Sequence, residues 1–137
     1  MNFYAQYSIV ERKMQMPNRI IISGTVAGSP EFSHKKYRKK FYRFFITSER
    51  TSGVSDVIPV LISEAHLEEI KIGERIGVDG GIRTYNKHGK LEINVTAKEL
   101  FYPLDHDENY VEIDGYLCKA PTYRETPFGR EISDLLI

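Results

Sequence analysis

Alternating apolar and polar residues divide most of the chain into five predicted strands. Apolar side chains recur at every second position from Arg19 to Val26, from Phe41 to Ser48 and from Val57 to Ile62. The same alternation runs from Arg75 to Tyr85 and from Leu91 to Lys98. This period of two is typical of strands that bury one face.

A short helix and a hairpin loop complete the predicted first domain. Ser63 is a candidate N-cap, Glu64 suits the start of the helix, and Gly73 suits its end. The segment 86–89 is predicted as the loop between the last two strands. Five strands with one short helix between the third and the fourth is the order of an OB-fold. The sequence therefore predicts an all-β, five-stranded Greek-key barrel, with glycines inside its first and fourth strands where the sheet bends to close.

The region that follows the first domain repeats its beginning. Residues 109–137 match residues 18–46 at a constant offset of 91 positions, without a gap. Asn18, Gly24 and Pro30 recur as Asn109, Gly115 and Pro121, and apolar residues match at further positions. The repeat predicts a second OB unit that is only partial in this chain. The expected division is an N-terminal extension (1–17), an OB-fold domain (18–102), a linker (103–108) and a partial second OB unit (109–137).

Composition favours a cytoplasmic protein. The 137 residues include 41% hydrophobic residues and one cysteine, Cys118, so an internal disulfide is impossible. No run of 18 apolar residues is present to span a membrane. The first 17 residues lack the basic start and continuous apolar segment of a secretory signal.

Charge is balanced in total and polarised along the chain. The sequence has 19 basic and 19 acidic residues. Six of the nine residues from Lys35 to Arg43 are basic, whereas five acids lie between Asp105 and Asp114. The basic run falls in the segment 33–40, which is predicted to be a loop before the second strand. Such a run next to aromatic residues favours contact with phosphates.

Several motifs resemble those of bacterial single-stranded DNA-binding proteins. They are the opening at Arg19–Pro30, the Arg43–Phe44 pair, the stretch Asp56–Val60 and the stretch Val78–Thr84. The segment Tyr123–Leu136 is similar to a motif in the second unit of a Firmicutes-type variant with tandem OB units. The resemblance implies an OB-fold that binds single-stranded DNA in replication, repair or recombination and forms homo-oligomers, with replication or repair proteins as possible partners.

The candidate binding residues combine cations with outward aromatic side chains. On the second strand, Phe41, Arg43 and Phe45 should face outward if Tyr42, Phe44 and Ile46 face the core. Aromatic side chains can stack on bases while cations contact phosphates. The full predicted nucleic-acid-binding set is Lys35, Lys36, Tyr37, Arg38, Lys39, Lys40, Phe41, Arg43, Phe45, Arg83, Tyr85, Lys87 and His88. Weaker candidates in the second unit are Lys119, Tyr123, Arg124 and Arg130.

Nothing in the sequence favours catalysis, a cofactor or a metal site. The four histidines are scattered and lack the spacing of metal ligands. The run Asp105–Glu108 resembles a metal cluster, but a flexible acidic linker explains it better. The expected function is sequence-tolerant binding of single-stranded DNA without enzymatic activity. The alternatives are a protein-binding, primosome-like OB factor and a binder of single-stranded RNA.

Overall fold

The computed structural model describes residues 17–103 and 105–137, so the predicted N-terminal extension lies outside the described residues apart from Pro17. The strands are β1 (Asn18–Val26), β2 (Glu31–Lys36), β3 (Lys39–Glu49), β4 (Ser55–Ser63), β5 (Arg75–Lys87), β6 (Lys90–Phe101), β7 (Asn109–Ile113), β8 (Thr122–Glu125) and β9 (Glu131–Asp134). Two compact units are present: one is Asn18–Glu112, and the other contains Ile113–Ile137. None of the helices in the described part of the chain is long and apolar enough to cross a membrane.

The first unit is a closed barrel with the strand order of an OB-fold. β1 pairs with β3 at one end and with β5 along most of its length, both antiparallel. β3 pairs with β4, and β5 pairs with β6, again antiparallel. A parallel pairing of β4 with β6 closes the ring. These five strands are the five predicted from the sequence, so the predicted fold class is confirmed.

The core of the barrel has the predicted side-chain parity. Phe44 and Ile46 of β3 are fully buried, whereas Phe45 between them is 38% exposed. Ile22, Val60 and Val78 are buried against them from other strands of the barrel. The period of two therefore identified the buried face of β1, β3, β4 and β5, and of β6 at Val95. Leu91 and Ile93, which the alternation placed on the same face of β6, are 65% and 54% exposed. That end of β6 lies beyond the residues that pair with β4, so the prediction was wrong there.

Two strand glycines lie where strands of the barrel cross closely. A Cβ on Gly24 would collide with the backbone carbonyl of Thr47, and a Cβ on Gly80 would collide with that of Thr96. β5 also has a register shift at Gly80. Both positions fit the predicted bends of a closing sheet.

The helix between β4 and β5 differs from its prediction in length and type. It is a 3-10 helix that runs from Glu64 to Glu69, and the side chain of Ser63 makes no capping hydrogen bond. The chain leaves the helix at Ile70, before the predicted end at Gly73, which has a positive φ of 81°. A six-residue segment has few backbone hydrogen bonds to gain from α-helical geometry, which explains the tighter winding.

The prediction of a loop at residues 33–40 is wrong, because this segment forms the end of a β-hairpin. β2 and β3 pair up to Lys36 and Lys39, which leaves Tyr37 and Arg38 as a two-residue turn. Both turn residues have positive φ, of 48° and 65°, as a type I′ turn requires. The turn was not predicted because Tyr37 and Arg38 are not the asparagine and glycine usual in such turns. The strand before it was not predicted because every residue of β2 is exposed, so no apolar residues alternate along it.

The segment predicted as a linker is hydrogen-bonded to the barrel. Asp107 forms an ion pair with Arg75 at 2.7 Å and accepts the backbone N–H of Glu49 at 2.9 Å. The backbone N–H of Glu108 donates to Ser23 Oγ at 2.6 Å. β7 then pairs with β1. These contacts explain why the first compact unit extends to Glu112.

The second unit reproduces the hairpin of the first unit at the repeat offset. β8 and β9 pair Tyr123 with Ser133, as β2 and β3 pair Phe32 with Tyr42. The backbone N–H of Cys118 donates to Leu136, as that of Ala27 donates to Phe45. Gly129 occupies the place of Arg38 and also has a positive φ, of 76°. Repetition of sequence here corresponds to repetition of backbone structure.

We predict that a variant truncated after Tyr102 still folds. Within the described parts of the chain, every side chain of the hydrophobic core lies between Ile20 and Leu100, so the truncation leaves these core residues in place. Loss of the bonds of Asp107 and Glu108 and of the pairing of β7 with β1 should lower the free energy of unfolding by about 0.5–1.5 kcal/mol for each hydrogen bond lost. Thermal unfolding followed by circular dichroism tests this division, and a truncated chain without a cooperative transition would place the segment after Tyr102 in the folding unit.

Candidate nucleic-acid interface

The tip of the β2–β3 hairpin carries a dense group of exposed cations. They are Lys35, Lys36, Arg38, Lys39 and Lys40, here called the hairpin cations, and all of them are exposed. Lys35 lies opposite Lys40, and Lys36 lies opposite Lys39. Within the described parts of the chain none of these five forms an ion pair. Tyr37 at the turn is 88% exposed, with Lys36 Nζ 5.4 Å from its ring centroid.

A row of outward side chains on β3 continues from the hairpin cations. Phe45 is 38% exposed, and the guanidinium of Arg43 lies 5.6 Å from its ring centroid. Phe41 is half-buried and stacks on His34 with a centroid separation of 5.1 Å and an interplanar angle of 11°. The outward orientation predicted for Phe41, Arg43 and Phe45 is therefore observed, and their part in binding stays a prediction.

A groove of about 440 Å³ lies beside this row. The two hairpins of the barrel, β2–β3 and β5–β6, contribute to its walls, and Leu61 of β4 lines it between them. The groove brings together three predicted residues from distant parts of the sequence: Arg43, Tyr85 and Lys87. Its remaining lining residues were not among the predicted set: Glu31, Phe32, Ser33, His34, Leu61 and Asn94.

Among these unpredicted residues, Phe32 had a signal in the repeat, His34 follows from the hairpin, and Asn94 had no signal. Phe32 packs edge-to-face on Tyr42, with ring centroids 5.8 Å apart, and its repeat counterpart Tyr123 marks an aromatic position in each hairpin. His34 follows from the strand character of β2, once the hairpin is recognised. Asn94 lies at a polar position of a strand with alternating residues. The sequence alone therefore predicts that its side chain faces solvent, and only the structure shows that it lines the groove.

The two other predicted residues of the β5–β6 hairpin lie outside the groove lining. Arg83 is exposed on β5, opposite Asn94 of β6. His88 occupies the turn with a positive φ of 51°, beside Gly89 at 78°. Tyr85, between them in sequence, is 37% exposed and lines the groove. Of the predicted residues in this hairpin, Tyr85 and Lys87 therefore line the groove, whereas Arg83 and His88 are exposed to solvent outside it.

Two arginines elsewhere in the first unit are paired with carboxylates. Arg19 pairs with Asp79 at 2.7 Å, and Arg50 pairs with Asp56 at 2.6 Å. The guanidinium of each arginine lowers the pKa of its partner carboxyl, chiefly through their hydrogen bond, and each carboxylate in turn raises the pKa of its arginine. The hairpin cations differ from these two arginines, since none of the five is paired with a carboxylate among the described residues.

The acidic segment after β6 is used in contacts with the barrel. Asp107 is held by Arg75, and His106 Nδ1 lies 3.3 Å from Asp105 Oδ1. Over residues 17–103 and 105–137, no group of three or more histidine, cysteine or acidic side chains is arranged to hold a metal ion.

The hairpin of the second unit lacks the charge of the first. At the repeat offset, Thr126, Pro127, Gly129 and Glu131 replace four of the five hairpin cations, and Arg130 retains the fifth. Asp134 occupies the place of Arg43 and pairs with Arg124 at 2.9 Å. The Tyr123 hydroxyl donates to Glu131 at 3.2 Å. The weaker candidates Tyr123 and Arg124 are therefore engaged in contacts within their own hairpin.

Comparison with solved structures places the fold in a known class. Wild-type single-stranded DNA-binding protein from Thermus aquaticus aligns with a TM-score of 0.70 and 20% identity, over 88% of this chain and 66% of that protein. The SSB domain of a Synechococcus protein aligns with a TM-score of 0.51 and 12% identity, over 63% of this chain and 96% of that domain. At these identities the likeness establishes the OB-fold.

A more similar structure establishes the family. The N-terminal domain of PriB protein from Thermoanaerobacter tencongensis, described as dimeric, is 31% identical, with a TM-score of 0.56. The alignment covers 64% of this chain and 98% of that domain. The chain belongs to the SSB-like OB-fold family that contains this PriB domain. No protein-family model matches the chain, and no curated protein does.

Proposed function

We propose that this protein binds single-stranded DNA with little dependence on sequence, through the hairpin cations and the outward row of β3. The observation that carries the proposal is the pairing of lysine opposite lysine at Lys35–Lys40 and Lys36–Lys39. Like charges opposite each other destabilise an antiparallel pair. A bound polyanion would reduce this repulsion, because its phosphates neutralise the lysine charges. The paired lysines therefore support a binding site for nucleic acid.

The neighbouring side chains supply what a single strand needs in addition to charge. Unpaired bases expose their faces, and stacking on aromatic rings stabilises any base in a similar way. Phe41 and Phe45 offer such rings next to the hairpin cations, with Arg43 between them. Strands two and three of an OB-fold, here β3 and β4, are also its usual ligand face.

The comparisons support the same function. The Thermus aquaticus structure is described as a single-stranded DNA-binding protein. The Synechococcus structure is described as an SSB domain. The chain spans about two thirds of the Thermus aquaticus protein, so roles in replication, repair or recombination, partner proteins from those processes and a cytoplasmic location are parts of the proposal. The absence of enzymatic activity is a further part of it.

Competition binding separates this proposal from its alternatives. A labelled dT oligonucleotide is bound to the protein and then displaced by unlabelled dT strand, by U-only RNA of equal length, or by duplex DNA. We expect the dT strand to compete best. Stronger competition by the RNA would indicate an RNA-binding protein, and no binding of any nucleic acid would favour an OB factor that binds proteins.

A homo-oligomer is the expected assembly. The related PriB domain is described as dimeric, and a second copy of this chain would place a second set of hairpin cations on one assembly. Light scattering coupled to size-exclusion chromatography tests the proposal. A mass near 15.8 kDa at micromolar concentration would indicate a monomer.

Loss of the stacking rings should weaken binding without unfolding the barrel. We expect Phe41→Ala and Phe45→Ala each to reduce the binding free energy for a dT strand by about 1–3 kcal/mol, because each removes one stacking surface. Phe45 is partly exposed, so its truncation leaves the core unchanged. Fluorescence anisotropy measures the binding, and thermal unfolding serves as the control. Unchanged affinity in both variants would remove the β3 row from the interface.

A further inference from the structure

The groove beside the β3 row contains a polar side chain that is buried without a partner. Asn94 of β6 is 4% exposed and lines the groove. Among the described residues its side-chain amide forms no hydrogen bond, whereas buried amides normally have partners. Among residues 17–103 and 105–137, no buried side-chain nitrogen or oxygen that is closed to solvent lacks a partner, so the Asn94 amide keeps access to the groove. An unpaired amide at the bottom of a groove is suited to a polar ligand.

The chemistry of the groove fits a base better than a phosphate. Glu31 lies on its wall together with the cations Arg43 and Lys87. The groove therefore offers a hydrogen-bond acceptor as well as donors, whereas a phosphate can only accept and a base can do both. Glu31 is the cross-strand neighbour of Arg43, yet within the described chain it forms no ion pair, since the Arg43 guanidinium lies over Phe45. The carboxylate therefore retains its capacity to accept hydrogen bonds from a ligand.

The remaining walls fit the flat, apolar body of a base. Tyr85 and Leu61 line the groove, together with Phe32 and His34. The volume of about 440 Å³ lies within the range of small-ligand pockets. A base that leaves its stack can place its faces against such walls and its polar edge toward Asn94 and Glu31.

We infer that this groove is a base-reading subsite, in which Glu31 and Asn94 favour a base with an exocyclic amino group. The inference rests on the proposed function. A carboxylate accepts from the N4 amino group of cytosine, and the Asn94 amide can donate to the adjacent ring nitrogen or carbonyl of the same base. Uracil and thymine present a carbonyl oxygen in place of that amino group, which faces the carboxylate unfavourably. The rest of the interface stays tolerant of sequence, so the preference concerns one nucleotide.

The closest matched test compares oligonucleotides of deoxycytidine and deoxyuridine, because these bases differ only in the group at position 4 and the consequent ring proton. Binding of the full chain to strands of equal length is measured by competition at pH 8. We expect the deoxycytidine strand to bind about tenfold more tightly, the low end of a base-specific contact. In Glu31→Gln, whose amide can both donate and accept, the ratio should fall to about twofold or less.

Controls distinguish the possible failures. Glu99→Gln removes the same charge from β6 outside the groove lining and should leave the tenfold ratio unchanged. Asn94→Leu should also lower the ratio, with thermal unfolding used to show that the barrel is intact. Binding of both strands with equal affinity would overturn the base-reading subsite alone. A preference that survives Glu31→Gln would overturn the role of Glu31, and failure to bind either strand would instead overturn the proposed function.

Discussion

Replacement of the four hairpin lysines by glutamine should weaken the binding of a dT strand by about 10²-fold at 0.15 M salt. The variant changes Lys35, Lys36, Lys39 and Lys40, all exposed at the hairpin tip. Each lysine that neutralises a phosphate releases about 0.7 of a counterion from a single strand, and the loss of four such contacts reduces the entropy gained on binding. The slope of log affinity against log salt should become shallower by about 3.

Two controls separate this effect from misfolding and from net charge. Replacement of the same four lysines by arginine keeps the charge, so affinity should stay within a fewfold of the original. Lys71→Gln with Lys98→Gln removes charge from exposed positions away from the hairpin and should change affinity little. If glutamine at the hairpin leaves both affinity and salt slope unchanged, the hairpin cations are a solvated surface and the proposed interface is wrong.

Truncation of Phe44 should have the largest effect on stability. Its ring is fully buried in the centre of the barrel, among Ile22, Ile46 and Val60. We expect Phe44→Ala to lower the free energy of unfolding by about 3–5 kcal/mol, because it removes buried apolar surface and leaves a cavity. For a domain of this size that is a large fraction of the total stability.

Phe45→Ala is the matched control for this prediction, since it removes the same atoms from the adjacent, outward position. Chemical denaturation should show a large decrease in the denaturation midpoint for Phe44→Ala and a small one for Phe45→Ala. The opposite order would mean that β3 is shifted by one residue, which would exchange its inner and outer faces.

The barrel was predictable because its strands alternate. Phe44 and Phe45 illustrate the point: they are identical in chemistry, and position alone assigned one to the core and one to the surface. The repeat was equally informative, since Asn109 to Ile137 follows the first hairpin in register as well as in sequence. Alternation is a signal local in sequence, and the repeat compares two segments that each form local backbone structure.

The candidate site was less predictable because it depends on contacts between distant segments. β2 has no buried side chain, so no alternation marked it as a strand. Asn94 occupies an outward position on β6 and is buried only because residues from other strands wall the groove around it. Asp107 looked like part of a flexible acidic segment until its contacts with Arg75 and Glu49 were known. Such features depend on tertiary contacts, which the pattern of residues in a single sequence does not predict.

The central claim, that the protein binds single-stranded DNA through phosphate contacts and stacking, is tested most directly by one titration. A fluorescently labelled dT oligonucleotide is titrated with the full chain at several salt concentrations between 0.05 and 0.3 M. We predict saturable binding that weakens with salt with a log–log slope of about −3.5 or steeper, at about −0.7 for each hairpin cation that contacts a phosphate, and much weaker binding of a duplex of the same length. Absence of binding at the lowest salt, a slope near zero, or equal affinity for duplex would contradict the account.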